Sequence, residues 1–389
     1  MKKSISIMAL IMALVMMLAA CGKAPEGEEA GGETGPIKIG VVTTLSGSNS
    51  GHGEYCKEGV ELWKNKVNAD GGLLGRQVEI VYEDNGETDQ EYMNACIKML
   101  SEDNVSAFYS NGFSNQVTLV LPEVANYKIP FLAGNSSQAC LDEKNEFYWM
   151  LRLSDSIVSP TMANACADLL KMKNVAILQV NDSYGDGMAD YVQSSLEGLG
   201  VKVAQRIAVS ADETQFNSYL TQILNEGVDG LIAINHQDQA ALVMMQVDAM
   251  GFDIPLMGCS QFASSLAIDT AGKTADGWYS LADWTVQVDT ESGKKFVEDY
   301  RAAYNRDPDM QSVCGYDGML VLQDAIERAG SAEPAAINEA LYGVNGVVGA
   351  MTTYTCDKAS ETGSHDLGQS IFLVQTQNGQ GVLFDVAKR

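Results

Sequence analysis

One pattern constrains this chain more than any other, and it runs twice: a short apolar strand, a stretch of helix length, then another strand. "IKIGVV" (37–42) reads as a strand. After a Gly/Ser-rich loop, "EYCKEGVELWKNKVNADGG" reads as a helix that closes on Gly71 and Gly72. "QVEIVYEDN" is strand-like again, and "DQEYMNACIKMLSED" sets Tyr92, Cys96, Met99 and Leu100 at helical spacing. "VSAFYS", "NQVTLVLPEVANY" and "IPFLAG" continue as strand, helix and strand. The pattern restarts at "NVAILQV" (174–180), with a helix over 186–199 and a strand in "VKVAQRIAV". "TQFNSYLTQILNEG", "VDGLIAIN", "QAALVMMQVDAMG" and "IPLMG" extend it, and helices follow at about 292–305 and 315–329. The stretch "SIFLVQTQNGQGVLFDVAK" reads as a hairpin turning on Asn378-Gly379. Alternation of this kind builds parallel β-α-β units. The expected fold is therefore α/β, with two doubly wound parallel-sheet lobes joined by a hinge. In open sheets of this type, ligands bind off the carboxyl ends of the strands.

The segment ahead of the first strand has a different character. Met1-Lys2-Lys3 is a positive start, Ser4 to Ala20 is almost wholly apolar, and Ala19-Ala20 precede Cys21. A positive n-region, an apolar h-region and a small-residue cut site read as an export signal over 1–20. The alternative is a retained membrane helix, for which the apolar run is slightly short of the ~20 residues required. "LAAC" resembles the lipobox of bacterial lipoproteins, which implies a lipidated Cys21 as the new N-terminus. Acyl chains contribute ~0.8 kcal/mol per buried CH₂, and stable anchoring takes more than one chain. Residues 22–36 lack any large apolar side chain, so 21–36 reads as a lipidated cysteine and a flexible leash. A Gly-rich coil of that length reaches roughly 20 Å. The expected location is the outer face of the cell membrane, held by lipid.

Charge excludes one class of partner. The net charge is −26, and removal of Lys2 and Lys3 with the signal makes it −28. With no basic run anywhere, nucleic acid partners are excluded by repulsion from phosphate. There are eight cysteines, without a C-x-x-C or a Cys/His cluster, so neither a zinc site nor any cofactor is expected. Cys96 in "NACIKML" and Cys166 in "NACADLL" sit where buried apolar residues belong, which favours mostly free, buried thiols.

The loops after the strands carry the candidate chemistry. "TTLSGSNSGHGEY" holds His52 but matches neither G-x-G-x-x-G nor a phosphate loop. Ser114 stands at a helix start, either as an ordinary N-cap or as part of an anion shelf built from free N–H groups. Gly112-Phe113-Ser114-Asn115-Gln116 lacks the second glycine of a nucleophile elbow. With only His52, His236 and His365 available, a hydrolase is a poor fit. Asn135, Ser136 and Ser137 form a second polar shelf in "AGNSSQAC". In the second half, Tyr184 in "NDSYGDG", His236 in "NHQDQ" and Ser260 in "GCSQF" occupy the equivalent loops.

These stretches together resemble the leucine/isoleucine/valine-binding proteins of ABC importers, which have the type I periplasmic-binding-protein fold. "IKIGVVTTLSG", "VNADGGLLGRQVEIVYEDN", "LRLSD", "YGDGM", "DAMGFDIPLMG" and "GYDGMLVLQDAI" carry the resemblance. It implies a clamshell of lobe 1 (37–153 and 284–357) and lobe 2 (154–283 and 358–389). It also implies a binding protein, not an enzyme, that delivers an amino acid or related small carboxylate to an ABC permease. A sensor of the same fold is the alternative. In that family a serine and a second hydroxyl residue hold the ligand's carboxylate, at positions matching Ser114 and Ser137, with Asn135 and Ser136 adding backbone groups. Flanking aromatic positions match His52 and His236, and Tyr184 is a further contact. One departure stands out. The family's amino acid binders place a carboxylate near Ser260 to hold the ammonium, and serine cannot supply that charge. Either Asp155, Asp182, Asp238 or Asp317 takes over, or the ligand has no ammonium.

Overall fold

The structure, a computed structural model, describes residues 35–47, 50–86, 88–356 and 365–384. The signal stretch, Cys21 and nearly all of the leash lie outside the described residues. The first lobe opens with β1 (Ile37–Thr43), β2 (Val78–Asp84), β3 (Ala107–Ser110), β4 (Phe131–Ala133) and β5 (Tyr148–Met150). They form one parallel sheet in the order β2-β1-β3-β4-β5. Helices α1 (Ser50–Ala69), α2 (Asp89–Ser101), α3 (Ser114–Tyr127) and α4 (Gln138–Asp142) alternate with the strands. Both faces are covered, as a parallel sheet requires. Ile37, Ile39 and Val41 enter the core that holds Trp63. Val42 and Phe108 enter the opposite core, with Met99 and Cys96.

The second lobe repeats the plan with β6 (Asn174–Val180), β7 (Lys202–Val209), β8 (Gly230–Ile234), β9 (Leu256–Gly258) and β10 (Tyr279–Ala282). Its helices are α5 (Asp155–Asn164), extended by a π-helical turn, then α6 (Ser183–Gly198), α7 (Asn217–Asn225), α8 (Gln237–Ala249) and α9 (Ser265–Ala271). The chain then crosses back. Helices α10 (Glu291–Tyr304), α11 (Met310–Ala329) and α12 (Pro334–Leu341) join the first lobe's core, followed by the small hairpin β11 (Asn345–Val348) and β12 (Thr353–Thr355). Finally β13 (Phe372–Gln377) adds antiparallel to β10 and β14 (Gln380–Leu383) antiparallel to β13, giving the order β14-β13-β10-β9-β8-β6-β7. Their turn has Asn378 and Gly379 at φ 52° and 75°, the left-handed pair that a tight hairpin demands.

The third crossing falls later than the sequence suggested. Met150 N donates to His365 O at 2.7 Å and Leu367 N to Met150 O at 2.8 Å. Leu367 is buried in the first lobe's core, so the strand-like pairing along β5 delays the crossing from 357 to about Gly368. Cys56, Cys96, Cys140, Cys166, Cys259 and Cys314 are free and buried. They pack as small apolar groups, and burial pushes the thiols of Cys56 and Cys96 up to about 12.

Candidate ligand-binding cleft

β3 ends at Ser110, and the chain turns through Asn111, Gly112 and Phe113 into α3. Ser110 Oγ ties this turn down by accepting from Gly112 N (3.0 Å) and from Tyr92 OH (3.2 Å). Gln116 Oε1 reaches back to accept from Phe113 N (3.1 Å). Because Gln116 serves as the cap, Ser114 is released from that task and lines a small cavity between the lobes. β4 delivers Asn135 and Ser136 to the same cavity. The Asn135 side chain is committed, accepting from Tyr148 OH (2.6 Å) and donating to Cys140 Sγ (3.0 Å). Ser137 is the N-cap of α4, only 2% exposed, and does not line the cavity. The shelf is thus Ser114, Asn135 and Ser136.

His52, in the first turn of α1, is 9% exposed and accepts from Asn111 Nδ2 at Nδ1 (2.9 Å). That bond leaves the proton on Nε2, so the ring is a neutral donor. Burial first, then the charges of His236 and Arg152, hold its pKa down at about 3. Across the cleft, His236 follows β8 at the N-cap position of α8, and its Nε2 lies 2.6 Å from Asp182 Oδ2. Asp182 also caps α6, accepting from Gly185 N (2.8 Å). Burial alone would raise its pKa, but the bonds from His236 and the helix N–H groups hold it below the ordinary value. The rings meet over the cavity: Phe113 lies 4.4 Å from His236 between centroids, and Tyr184 stacks on His236 at 5.7 Å. Phe113 belongs to one lobe and His236 to the other, so this contact closes the cleft. A second closing contact joins α9 to the start of α11, where Ser265 Oγ donates to Pro308 O (3.2 Å).

Arg152 sits at the base, where the first crossing leaves β5. It is 6% exposed and donates to Asp283 Oδ2 (2.7 Å) and Ser260 Oγ (2.8 Å). Ser260 therefore faces Arg152 and an adjoining recess rather than the cavity that Ser114 lines. Asp155 opens on that recess, and burial pushes its pKa up to about 8. The other candidate carboxylates are elsewhere. Asp317 is fully buried, accepting from Ala350 N (2.7 Å), Met351 N (2.8 Å) and Tyr354 OH (2.9 Å). Asp238 is exposed on the first turn of α8. His365 stacks on Trp149 at 3.8 Å, away from the cleft.

Sequence reasoning missed Arg152, Asn111, Phe113, Gln261 and Gln311, all on the cavity wall. Arg152 left a signal: an arginine in "LRLSD", directly after a buried strand, needs an anionic partner inside the protein. Among the described residues, neither His52 nor His236 has a serine hydroxyl hydrogen-bonded to it, and no His, Cys, Asp and Glu cluster has metal-ligand geometry.

Two α/β lobes closing on a polar shelf define a solute-binding clamshell. A family model described as periplasmic binding protein matches residues 36–380, and the chain belongs to that family. It is 24% identical over 309 residues to the leucine-, isoleucine-, valine-, threonine- and alanine-binding protein of Pseudomonas aeruginosa, covering 78% of this chain and 82% of that one. It is 23% identical to the Leu/Ile/Val-binding protein of Escherichia coli, over 85% of this chain and 89% of the other. In fold it matches a branched-chain amino acid transporter substrate-binding protein of Streptococcus pneumoniae, solved with isoleucine. The TM-score is 0.82 at 21% identity, over 90% and 99% of the two chains. It matches equally a solute-binding protein of R. palustris solved with benzoate, with a TM-score of 0.80 at 19% identity, over 90% and 95%. These neighbours share the type I periplasmic-binding-protein fold.

Proposed function

We propose that this chain is the extracellular solute-binding lipoprotein of an ABC importer. It captures an amino acid of the branched-chain type, or a related small carboxylate, between its lobes and hands it to a permease. The observation that carries this reading is the closed cleft: a cavity walled by both lobes, with Ser114, Asn135 and Ser136 on one side and Tyr184 and His236 on the other. Ser114, Asn135 and Ser136 line one cavity from two neighbouring strand ends, which suits a carboxylate. His52 adds a neutral donor, Ser137 supports the shelf as the N-cap of α4, and Ser260 holds Arg152 in place. The hinge is made of the three crossings, and closure over the ligand follows the usual clamshell motion.

The test is mass spectrometry of solute released by denaturing freshly purified protein, followed by calorimetric titration of what is found. A small carboxylate that binds again and raises the melting temperature is the expected result. Absence of any bound solute, with no response to a carboxylate panel, rejects the reading. Anchoring at Cys21 is tested separately: fatty acid labelling should mark the wild type and not Cys21→Ser.

A further inference from the structure

The cleft holds two buried acceptors that nothing in the protein satisfies, one from each lobe. Resting on the capture reading, we propose that Asn111 and Gln261 set the specificity of the cleft: their side-chain oxygens receive an N–H or O–H donor that the ligand carries in addition to its carboxylate.

The two residues come from opposite sides. Asn111 follows β3 in the first lobe, and Gln261 belongs to the 3₁₀ turn Ser260–Ala263 that follows β9 in the second. Both line the cavity, at 4% and 9% exposure. Asn111 Nδ2 lies 2.9 Å from His52 Nδ1 and 3.5 Å from both His52 O and Gln311 Oε1. A backbone carbonyl can only accept, so the amide nitrogen belongs on that side and Oδ1 is turned away from it. Among the described residues, neither Asn111 Oδ1 nor Gln261 Oε1 has a hydrogen-bond partner. Buried acceptors are almost always paired, and one left unmet carries the cost of its desolvation. Since the protein supplies no donor, the occupant of the cleft is the group placed to supply it.

That donor is additional to the carboxylate, which only accepts. The carboxylate has other partners: the hydroxyls of Ser114 and Ser136 on the same wall, and Arg152 Nε, a buried donor likewise without a partner. The wall therefore combines unmet acceptors with an unmet donor, and it matches a molecule that has both kinds of group. An ammonium or a hydroxyl provides the missing hydrogen; a plain alkanoate does not. Asp155 Oδ2 is a further buried oxygen without a partner. It lies in the recess that shares Ser136, Arg152 and Tyr184 with the cavity, so either donor finds an acceptor there too. Gln261 rides on the covering lobe, so its bond forms as the cleft closes. A site built to bond an O–H or N–H rejects the analogue lacking it far more strongly than an apolar pocket rejects a missing methylene, because its own polar groups are then left unpaired.

The experiment uses the full chain, freed of bound solute by unfolding and refolding. L-leucine, 2-hydroxy-4-methylpentanoate and 4-methylpentanoate are titrated by calorimetry into wild type, Gln261→Met and Asn111→Leu, each checked for folding by its melting curve. In the wild type, the better of the two donor-bearing ligands should bind at least about tenfold tighter than 4-methylpentanoate. In Gln261→Met that ratio should fall toward unity through loss of the donor-bearing ligand, with 4-methylpentanoate bound as before. Asn111→Leu is read by the same ratio, so misfolding of one variant leaves the other as the test. The amino and hydroxy members show which donor the site prefers. If 4-methylpentanoate binds as tightly as both analogues, or the ratio is unchanged in the folded variants, the proposal is overturned and the capture reading survives. If none of the three binds, the same ratio is measured with the carboxylate that co-purifies and its analogue lacking N–H and O–H groups. A co-purified carboxylate with no such group overturns the proposal outright. If nothing binds and no carboxylate co-purifies, the capture reading itself falls, and this inference with it.

Discussion

The two lobes use one local device to different ends. In each, a strand feeds a helix whose first turn rests on the preceding backbone, and a glycine permits the approach. A Cβ at Gly53 would lie 1.7 Å from Thr44 O, and one at Gly185 would lie 2.0 Å from Val180 O. From there they diverge. The first lobe leaves polar groups open at its helix starts, with Ser114 and Ser136 facing the cavity. The second lobe spends its own: Asp182 both caps α6 and holds His236, so the ring is fixed and the carboxylate is committed. On the proposed reading, one lobe recognises the ligand and the other covers it. If so, damage to the first should appear in intrinsic affinity, and damage to the second in closure.

The largest effect is expected where the lobes meet. Arg152 reaches from the first crossing to Asp283 on the second, and to Ser260. Removing it in Arg152→Ala strands a buried carboxylate. Breaking a buried pair in this way costs about 3–5 kcal/mol. Urea unfolding should show a matching loss, far above that of Lys294→Ala. Lys294 pairs with Asp289 at an exposed site, where solvent screens the attraction. Equal losses would mean that the base of the cleft is not a coupled network.

Binding variants should split the lobes next. Hydrogen bonds to charged groups contribute roughly 1.5–3 kcal/mol. Ser114→Ala should therefore weaken the best carboxylate by about one to two powers of ten. Ser137→Ala, off the cavity wall, should cost no more than about threefold, well under 1 kcal/mol. His236→Ala removes the Phe113 contact, and aromatic pairs contribute ~0.5–1.5 kcal/mol. Its effect should be a faster dissociation rate with the association rate retained, as read by stopped-flow fluorescence. A slower association rate with unchanged dissociation would refute the division of labour.

This asymmetry also shows what was legible in the sequence. The parallel lobes were readable because buried strands such as "NVAILQV" and helices such as the one carrying Cys96 and Met99 have their own periodicities. The hairpin at Asn378-Gly379 was readable because few residue pairs tolerate two positive φ angles. That Ser114, Asn135 and Ser136 would lie near one another was readable because helix starts follow strands. That Ser136 and not Ser137 lines the cavity was not, because periodicity does not register how the backbone turns into α4. Arg152 and the late third crossing were missed for a common reason. Both depend on contacts between segments far apart in sequence, such as Met150 with Asp366.

The hinge and the first lobe should answer pH in opposite senses. Burial raises Asp155 to about 8 and Asp366 to about 7. An unfolded aspartate titrates near ~3.9. Between these values the native state holds more protons than the unfolded state. The stability these groups contribute is full below about pH 4 and is lost as pH rises through 7 to 8. Urea midpoints should fall from pH 5 to pH 8, and Asp155→Asn should flatten the slope. A slope unchanged in the variant would show that Asp155 titrates normally in the native protein.

His52 gives the smallest and sharpest test. Its ring is buried, accepts from Asn111 at Nδ1, and faces the charges of His236 and Arg152. These hold its pKa at about 3, against ~6.5 in an unfolded chain. Here the native state binds fewer protons, so this contribution is full above pH 6.5 and fades as pH falls toward 3. In the range where binding is measured, pH 5 to 8, the ring stays neutral. Nuclear magnetic resonance should show the His52 imidazole signals fixed across that range, with the proton on Nε2. Carboxylate affinity should then gain nothing from acidification through His52, and His52→Gln should leave the pH profile of binding unchanged while lowering affinity a fewfold. A His52 signal titrating near pH 6, with affinity rising in step, would make this histidine a cationic ligand contact. The first lobe would then recognise its anion by charge rather than by neutral donors, and the contrast between the lobes would have to be redrawn.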